Sequence, residues 1–335
     1  MNEKGDNMIK VGVIYGGIST EHEVSIMSAK SVIDNLDKEK YEIHEIYINE
    51  YGKWFENDEG IYNLIWTLKE LDVVFPVLHG LGGEDGTIQG MLEMLKVPYV
   101  GCGILASSIG MDKVYTKIVF DKAGISQAPY MYIKRIDNEY VIINENFEEE
   151  KFELEKITSK LKYPMFVKPS NSGSSVGVKK AINAQELKGA IENAGQYDTK
   201  ILVEQGIDGK EVECAILDGK EVIASTVGEI RSAEDFYSFD AKYNIPESKT
   251  VIPAEITEEQ IEKIRKLAIR AFKTIDGKGL SRGDFFVEKG TDKIYINEIN
   301  TMPGFTKISM YPKLFDAVGV SYSELLDKLI QNAIK

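Results

Sequence analysis

Near the carboxyl end of the chain, in the run GLSRGDFFVEKGTDKIYINEINTMPG at 279 to 304, stand a guanidinium, two carboxylates and an amide: Arg282, Asp284, Glu298 and Asn300. Hard oxygen donors of this kind suit Mg²⁺, which leaves part of its octahedron to water and nucleotide phosphate. A guanidinium beside them answers charge that develops on a transferring group. Two strand-like stretches joined by a short turn carry these residues, and Glu298 and Asn300, two apart on a strand, point to the same side. Ile294, Ile296, Ile299, Phe285 and Phe286 flank them as a set expected to be buried, and a buried carboxylate needs a partner. A solvated polar hairpin face is the plainer reading of the same residues. Arg282-Gly283-Asp284 also spells an adhesion tripeptide, but the Phe-Phe-Val that follows reads as strand and not as an exposed loop tip.

Two other stretches could meet a nucleotide. The loop SNSGSSVG at 170 to 177 offers backbone N–H groups and hydroxyls that can wrap phosphate oxygens, and Lys168 precedes it on an apolar strand with Phe166 and Val167. It is no P-loop, because G-x-x-x-x-G-K-[ST] occurs nowhere in the chain. The segment LVEQGIDGKEVE at 202 to 213 places an acid at the end of one strand and Glu211 at the start of the next, a shelf on which a backbone hinge pairs with a base and a carboxylate receives ribose hydroxyls. An ordinary turn with acidic edges is the alternative.

The elements that must position these residues follow from periodicity. From Lys10 an apolar strand breaks at Gly16-Gly17 and leads into helical spacing from 18 to 36; strands are expected at 41 to 49, 71 to 78 and 99 to 100, with a helix at 87 to 95. Such alternation predicts an α/β segment with a parallel sheet, whose ligands sit beyond the carboxyl ends of the strands, where 16 to 23 and 79 to 86 fall. The middle segment begins with a helix at 112 to 123 and has strands near 128 to 133 and 165 to 169. Its charged stretch from 138 to 160 reads as the solvated approach to a helix. From 201 onward an antiparallel sheet covered by helices at 258 to 275 and 323 to 334 is expected.

A chain of 335 residues that is 43% hydrophobic can build two or three domains. Its net charge of −14 argues against a face for nucleic acid or an anionic membrane. Two distant cysteines, Cys102 and Cys214, suit a reducing compartment, and residues 1 to 7 lack an apolar signal region, so a soluble cytoplasmic protein is expected.

Taken together, GGISTEHEVS at 16 to 25, HGLGGEDGTIQG at 79 to 90, MDK at 111 to 113, VKPSNSGSSVGV at 167 to 178, and RGD with NEINTMPGFT at 297 to 306 resemble the D-alanine–D-alanine ligase family of the ATP-grasp fold, from about Met8 to Lys335. The resemblance implies an N-terminal α/β substrate domain at 1–108, a central ATP-grasp part at 109–203 and a metal-binding part at 204–335. It implies that Glu21 holds the ammonium of a first D-alanine, with Ser174 and Tyr243 completing a hydrogen-bonded triad, and that His79 lies near its carboxylate. Lys113, Lys168 and Ser175 would meet ATP phosphates, Lys242 the γ-phosphate, Glu204 and Gln205 to Ile207 the adenine, and Glu211 the ribose. Asp284, Glu298 and Asn300 would share two Mg²⁺ ions, with Mn²⁺ as a substitute. Arg282 and the Gly304 N–H would form an oxyanion site, and Ser309 and Met310 would grip the second substrate. A homodimer through the first domain is also implied.

Relatives that use D-lactate tend to carry histidine in place of Tyr243, and those that use D-serine tend to carry arginine in place of Met310, so both positions favour D-alanine, although an apolar pocket discriminates only modestly against D-serine. The aromatic and acidic segment 233 to 248 is expected to be a lid that orders over nucleotide. Asn171-Ser172 and the short stretch 51 to 71 depart from many relatives. A dehydrogenase reading fails because Gly12, Gly16 and Gly17 do not make G-x-G-x-x-G. A non-catalytic sensor would be expected to have lost a metal ligand or the arginine. Another ATP-grasp ligase with a different D-amino acid is the nearest rival.

Overall fold

A computed structural model describes residues 8–231 and 249–335, which form three sheets. The first contains β1 (Ile9–Gly16), followed by α1 (His22–Asn35), β2 (Tyr41–Ile48), β3 (Trp54–Glu56), β4 (Glu59–Gly60), α2 (Leu64–Lys69), β5 (Val73–Pro76) and α3 (Thr87–Leu95). Its order is β4-β3-β2-β1-β5, and β1 runs parallel to both β2 and β5. Strands buried on both faces read as continuous apolar runs, as VVFP in β5 does. The expected parallel sheet is therefore present, with one addition. Residues 54 to 60 form an antiparallel hairpin on its edge, turned by Asn57 and Asp58, both at positive φ.

Two helices, α4 (Ile104–Met111) and α5 (Lys113–Lys122), lead to the second sheet. Asp112 caps α5 by accepting from the Tyr115 N–H at 3.2 Å. The sheet is built from β6 (Tyr130–Ile136), β7 (Glu139–Ile143), β8 (Glu149–Lys151), then after α6 (Leu154–Lys160), β9 (Met165–Pro169), β10 (Lys179–Ala181), and after α7 (Ala184–Ala194), β11 (Lys200–Gln205). Its order is β10-β9-β11-β6-β7-β8, antiparallel throughout. The charged stretch 138 to 160 is thus two strands and a helix. Asp137 and Asn138, at positive φ, make the tight turn that folds β7 back on β6. β11 belongs here and not with the following sheet.

The third sheet, β14-β13-β12-β15-β16, comprises β12 (Gly209–Leu217), β13 (Ile223–Arg231), β14 (Lys249–Val251), β15 (Leu280–Glu288) and β16 (Ile294–Asn300). α8 (Glu258–Thr274), fixed at its start by a capping box between Thr257 and Gln260, covers one face. α9 (Met310–Asp316) covers the other, and α10 (Tyr322–Ile334) packs against α9 and against α1 and β5 of the first sheet. Among the described residues, no helix is long and apolar enough to cross a membrane.

The cores are divided unequally. Val11, Val13 and Phe75 of the first sheet share one apolar cluster with Ala215 and Leu217 of β12, Tyr311 and Leu314 of α9, and Leu325 and Leu329 of α10. Phe305 sits edge-on to Phe75 at 5.4 Å within it. Cys102, Ala106, Phe120 and Ile125, around α4 and α5, pack against the α8 face of the third sheet. The second sheet keeps its own cluster, drawn wholly from residues 131 to 203.

Candidate active site

A cavity of about 510 Å³ opens where loops from all three sheets meet, a size suited to a small-molecule ligand. Its floor is one face of the third sheet. Antiparallel register sets Arg282 opposite Asn300 and Asp284 opposite Glu298, with Glu213 of β12 beside Asp284 on the other flank. The opposite face buries Phe285, Val287 and Ile296. Phe286 departs from the expected buried set and lines the cavity instead. A bulge in β16 adds Asn297 between the partners of Asp284 and Phe285, so adjacent Asn297 and Glu298 both line the cavity.

Arg282 is pinned by acids. Its Nε and Nη2 donate to Asp284 Oδ1 and Oδ2, each at 2.7 Å, and its Nε lies 3.0 Å from Glu213 Oε2. Burial works against its charge, but Asp284 and Glu213 outweigh that and raise its pKa well above the usual value. Asn300 Nδ2 also donates to Asp284, at 3.0 Å. Arg282, Glu298 and Asn300 line the cavity, whereas Asp284 is buried behind them.

Lys168 enters from β9, with its Nζ 2.6 Å from Glu204 Oε2 and 3.1 Å from Asn297 Oδ1. The other Glu204 oxygen meets Lys117 of α5 at 2.6 Å. Burial alone would push the Glu204 carboxyl up, but Lys117 and Lys168 bring it down to about 2. Its side chain therefore serves two lysines, and any contact of this stretch with a base falls to the backbone at 204 to 207, which lines the cavity together with Glu211.

The loops beyond β1 and β5 contribute Glu21 and His79, at the strand ends where the parallel sheet requires them. Ser174 donates its hydroxyl to Glu21 across the cavity mouth. Two glycines permit the approach. A Cβ on Gly173 would collide with the Glu21 carboxylate, and one on Gly80, at φ +73, would lie 2.7 Å from Glu21 Oε2. Ser174 and Ser175 occupy the left-handed region at φ 46 and 61, as ligand-clamping loops often do. His79 Nε2 is 3.0 Å from Ser28 Oγ, and its Nδ1 faces Met302 O at 3.2 Å and Glu84 Oε1 at 3.4 Å. Burial lowers the His79 pKa, yet Glu84 and then Glu21 make the net shift upward.

Lys113 donates to Ser172 O at 2.7 Å, tying α5 to the serine loop. Gly304, Ser309 and Met310 line the far end. Ser309 Oγ accepts from the Thr306 N–H at 3.0 Å, and Met310 is buried against Gly228. The sequence-predicted set thus converges on one cavity, with Asp284 buried directly behind its lining, while Lys242 and Tyr243 lie outside the described residues, as does the stretch 233 to 248. Lys117, Glu213 and Asn297 were not singled out by sequence. For Asn297 the signal was present in the INEIN run, where the strand period breaks; the other two owe their place to distant partners.

Glu298 and Asn300 offer hard oxygens to the cavity, and Asp284 touches Asn300, so the donor set fits Mg²⁺. Both Asp284 oxygens accept from Arg282, which a carboxylate oxygen can do while also ligating a cation. Among the described residues no three His, Cys, Asp or Glu side chains form a protein-only cation cage.

The family described as D-ala D-ala ligase C-terminus matches residues 119–331, and that described as D-ala D-ala ligase N-terminus matches 10–67 and 61–102. A D-alanine--D-alanine ligase of Acetivibrio thermocellus is 47% identical, over 97% of this chain and 96% of the relative. Among solved structures, the VanG D-Ala:D-Ser ligase from Enterococcus faecalis superposes with a TM-score of 0.84 at 36% identity, covering 98% of this chain and 100% of that one. The D-alanine--D-alanine ligase from Bacillus anthracis complexed with ATP gives 0.79 at 33% identity, covering 97% of each.

Proposed function

The chain belongs to the D-alanine–D-alanine ligase family, an ATP-grasp fold, and from that premise we propose that it joins two D-alanines into D-alanyl-D-alanine, with ATP cleaved to ADP and phosphate. The dipeptide serves peptidoglycan precursor synthesis. The observation that carries this reading is the meeting of Glu21, Ser174, Lys168, Arg282 and Gly304, from three separate sheets and their loops, around one cavity.

A carboxylate is a poor acyl donor, so its oxygen first attacks the γ-phosphorus of ATP, ADP departs, and an acyl phosphate forms. The amine of the second D-alanine, as the free base, then attacks the acyl carbon, and phosphate leaves with the C–O bond electrons. In this scheme Glu21, oriented by Ser174, holds the first ammonium, and His79 faces the first carboxylate. Lys113, Lys168 and Ser175 bind phosphate oxygens, the backbone at 204 to 207 binds adenine, and Glu211 binds ribose. Arg282 and the Gly304 N–H receive the tetrahedral oxyanion; one such donor contributes about 10²–10³-fold in rate. Ser309 and Met310 hold the second D-alanine. Asp284, Glu298 and Asn300 would hold two Mg²⁺ ions, or Mn²⁺ in their place, which supply charge neutralisation at the phosphates. The serine loop over the cavity keeps water from the acyl phosphate.

A second reading, D-serine at the second position, draws on the likeness to the Enterococcus faecalis structure, and the apolar Met310 wall argues for D-alanine. The test is phosphate release from ATP with D-alanine, L-alanine, D-serine or D-lactate supplied separately. Release with D-alanine and not with L-alanine is expected; the reverse would overturn the substrate assignment. We further assign the enzyme to the cytoplasm as a homodimer, which sedimentation of the purified chain would check.

A further inference from the structure

Lys117 lies below the cavity and does not line it, and its side chain is only 3% exposed. Burying an ammonium is costly, so such a lysine needs a reason. Its partner is Glu204, whose carboxylate is 5% exposed and divides its two oxygens between Lys117 and Lys168 at 2.6 Å each. Across the antiparallel β9 and β11 pair Lys168 faces Leu202, so Glu204 reaches it on the diagonal, as long side chains can. The Tyr130 ring lies 5.2 Å from Lys117 Nζ, and its hydroxyl donates to Asp121 at 2.6 Å. Lys117 is thus held in a fixed seat behind the lysine that does reach the cavity.

Two ammoniums and one carboxylate carry a net charge of +1, and Lys168 is the member that presents it. We propose that Lys117 is a positioning residue for the nucleotide: by occupying one oxygen of Glu204 it keeps Lys168 from being neutralised there and leaves a net positive charge facing a bound polyphosphate. Without Lys117 the remaining Lys168–Glu204 pair is neutral. The order of influences on Glu204 agrees, since Lys117 outranks Lys168 in stabilising the carboxylate. This inference rests on the proposed binding of ATP at Lys168.

The experiment measures calorimetric binding of a non-hydrolysable ATP analogue with Mg²⁺ to the full chain, wild type against Lys117→Met and against Lys117→Met with Glu204→Gln. Loss of one screened charge a short distance away should weaken binding by roughly tenfold or more, with the KM for D-alanine unchanged. The double variant restores net +1 through Lys168 alone and should bind within about threefold of wild type. Wild-type affinity in Lys117→Met, or a double variant about tenfold weaker than wild type, would overturn the proposal. Lys117→Met leaves Glu204 paired with Lys168, and in the double variant Lys168 keeps Asn297 as a partner, so the melting temperature of each variant is compared with wild type before its affinity is read. Failure of the wild type to bind the analogue would instead refute the nucleotide reading itself.

Discussion

The two walls of the cavity are built differently. On one side the first and third sheets are welded through a common cluster in which Phe305 bridges Phe75 and Tyr311. On the other, the second sheet closes its own core, and several of its bonds to the rest of the site are polar: Ser174 to Glu21, Lys168 to Asn297, and Lys113 to Ser172. Apolar contact is non-directional and hard to undo in part, whereas hydrogen bonds across a seam can break and re-form singly. The welded wall carries Arg282 and Gly304, which the proposed reaction would need in fixed positions. The self-contained wall carries Lys168 and the serine loop, which in the same proposal meet the nucleotide.

The sharpest way to separate the walls is Arg282→Lys. It keeps a charge between Asp284 and Glu213 but loses the bidentate fork, so kcat should fall about 10²–10³-fold, while affinity for an ATP analogue stays near wild type; an equal loss in both would put the arginine on the nucleotide side. Next in size are core truncations. Leu187→Ala should destabilise by about 3 kcal/mol, and hydrogen exchange should accelerate only within 130–205, whereas Leu329→Ala should loosen the first and third sheets together. Uniform acceleration in both variants would mean that the cores are not separate.

Ser174→Ala removes a charge-assisted bond across the seam, and kcat/KM for D-alanine should drop by about tenfold with the melting temperature nearly unchanged. A large fall in melting temperature would show that the contact is structural. The smallest effect concerns pH, and the signs differ between the walls. Glu204 titrates at about 2, below its ordinary 4.5, so its stabilisation is complete above 4.5 and is lost as acid approaches pH 2. His79 is shifted upward from 6.5, so its contribution is full below 6.5 and disappears as pH rises through the folded value. Hydrogen exchange protection at pH 3 and pH 8 should accordingly fall in β11 on the acid side and in the 77 to 86 loop on the alkaline side.

Much of this was legible beforehand, because the residues concerned announce themselves locally. Gly16-Gly17 ends a strand, Lys168 precedes a serine and glycine loop, and Glu298 and Asn300 share a strand face. What was missed has a different origin. The β3–β4 and β6–β7 hairpins turn on Asn57-Asp58 and Asp137-Asn138, which reach positive φ without glycine, and β3, β4 and β8 are two or three residues long. Lys117 and Glu213 look like surface residues in a helix and a strand; only a partner far along the chain makes either one buried. The common core of the first and third sheets is equally invisible to periodicity, which tells which face is apolar but not what covers it.

The extra residue in β16 has a consequence for how the chain can change. Side chains alternate strictly along a strand, so the bulge at Asn297 is what allows isoleucines to remain inside while Glu298 and Asn300 stay in the cavity. Removing Asn297 itself would leave Ile294, Ile296 and Ile299 on one face and Glu298 and Asn300 on the other in plain alternation, because that residue is the one the bulge absorbs. The strand can therefore lose that one residue without exchanging its faces, whereas loss of Ile299 would make Glu298 and Asn300 neighbours and turn one of them toward the apolar side.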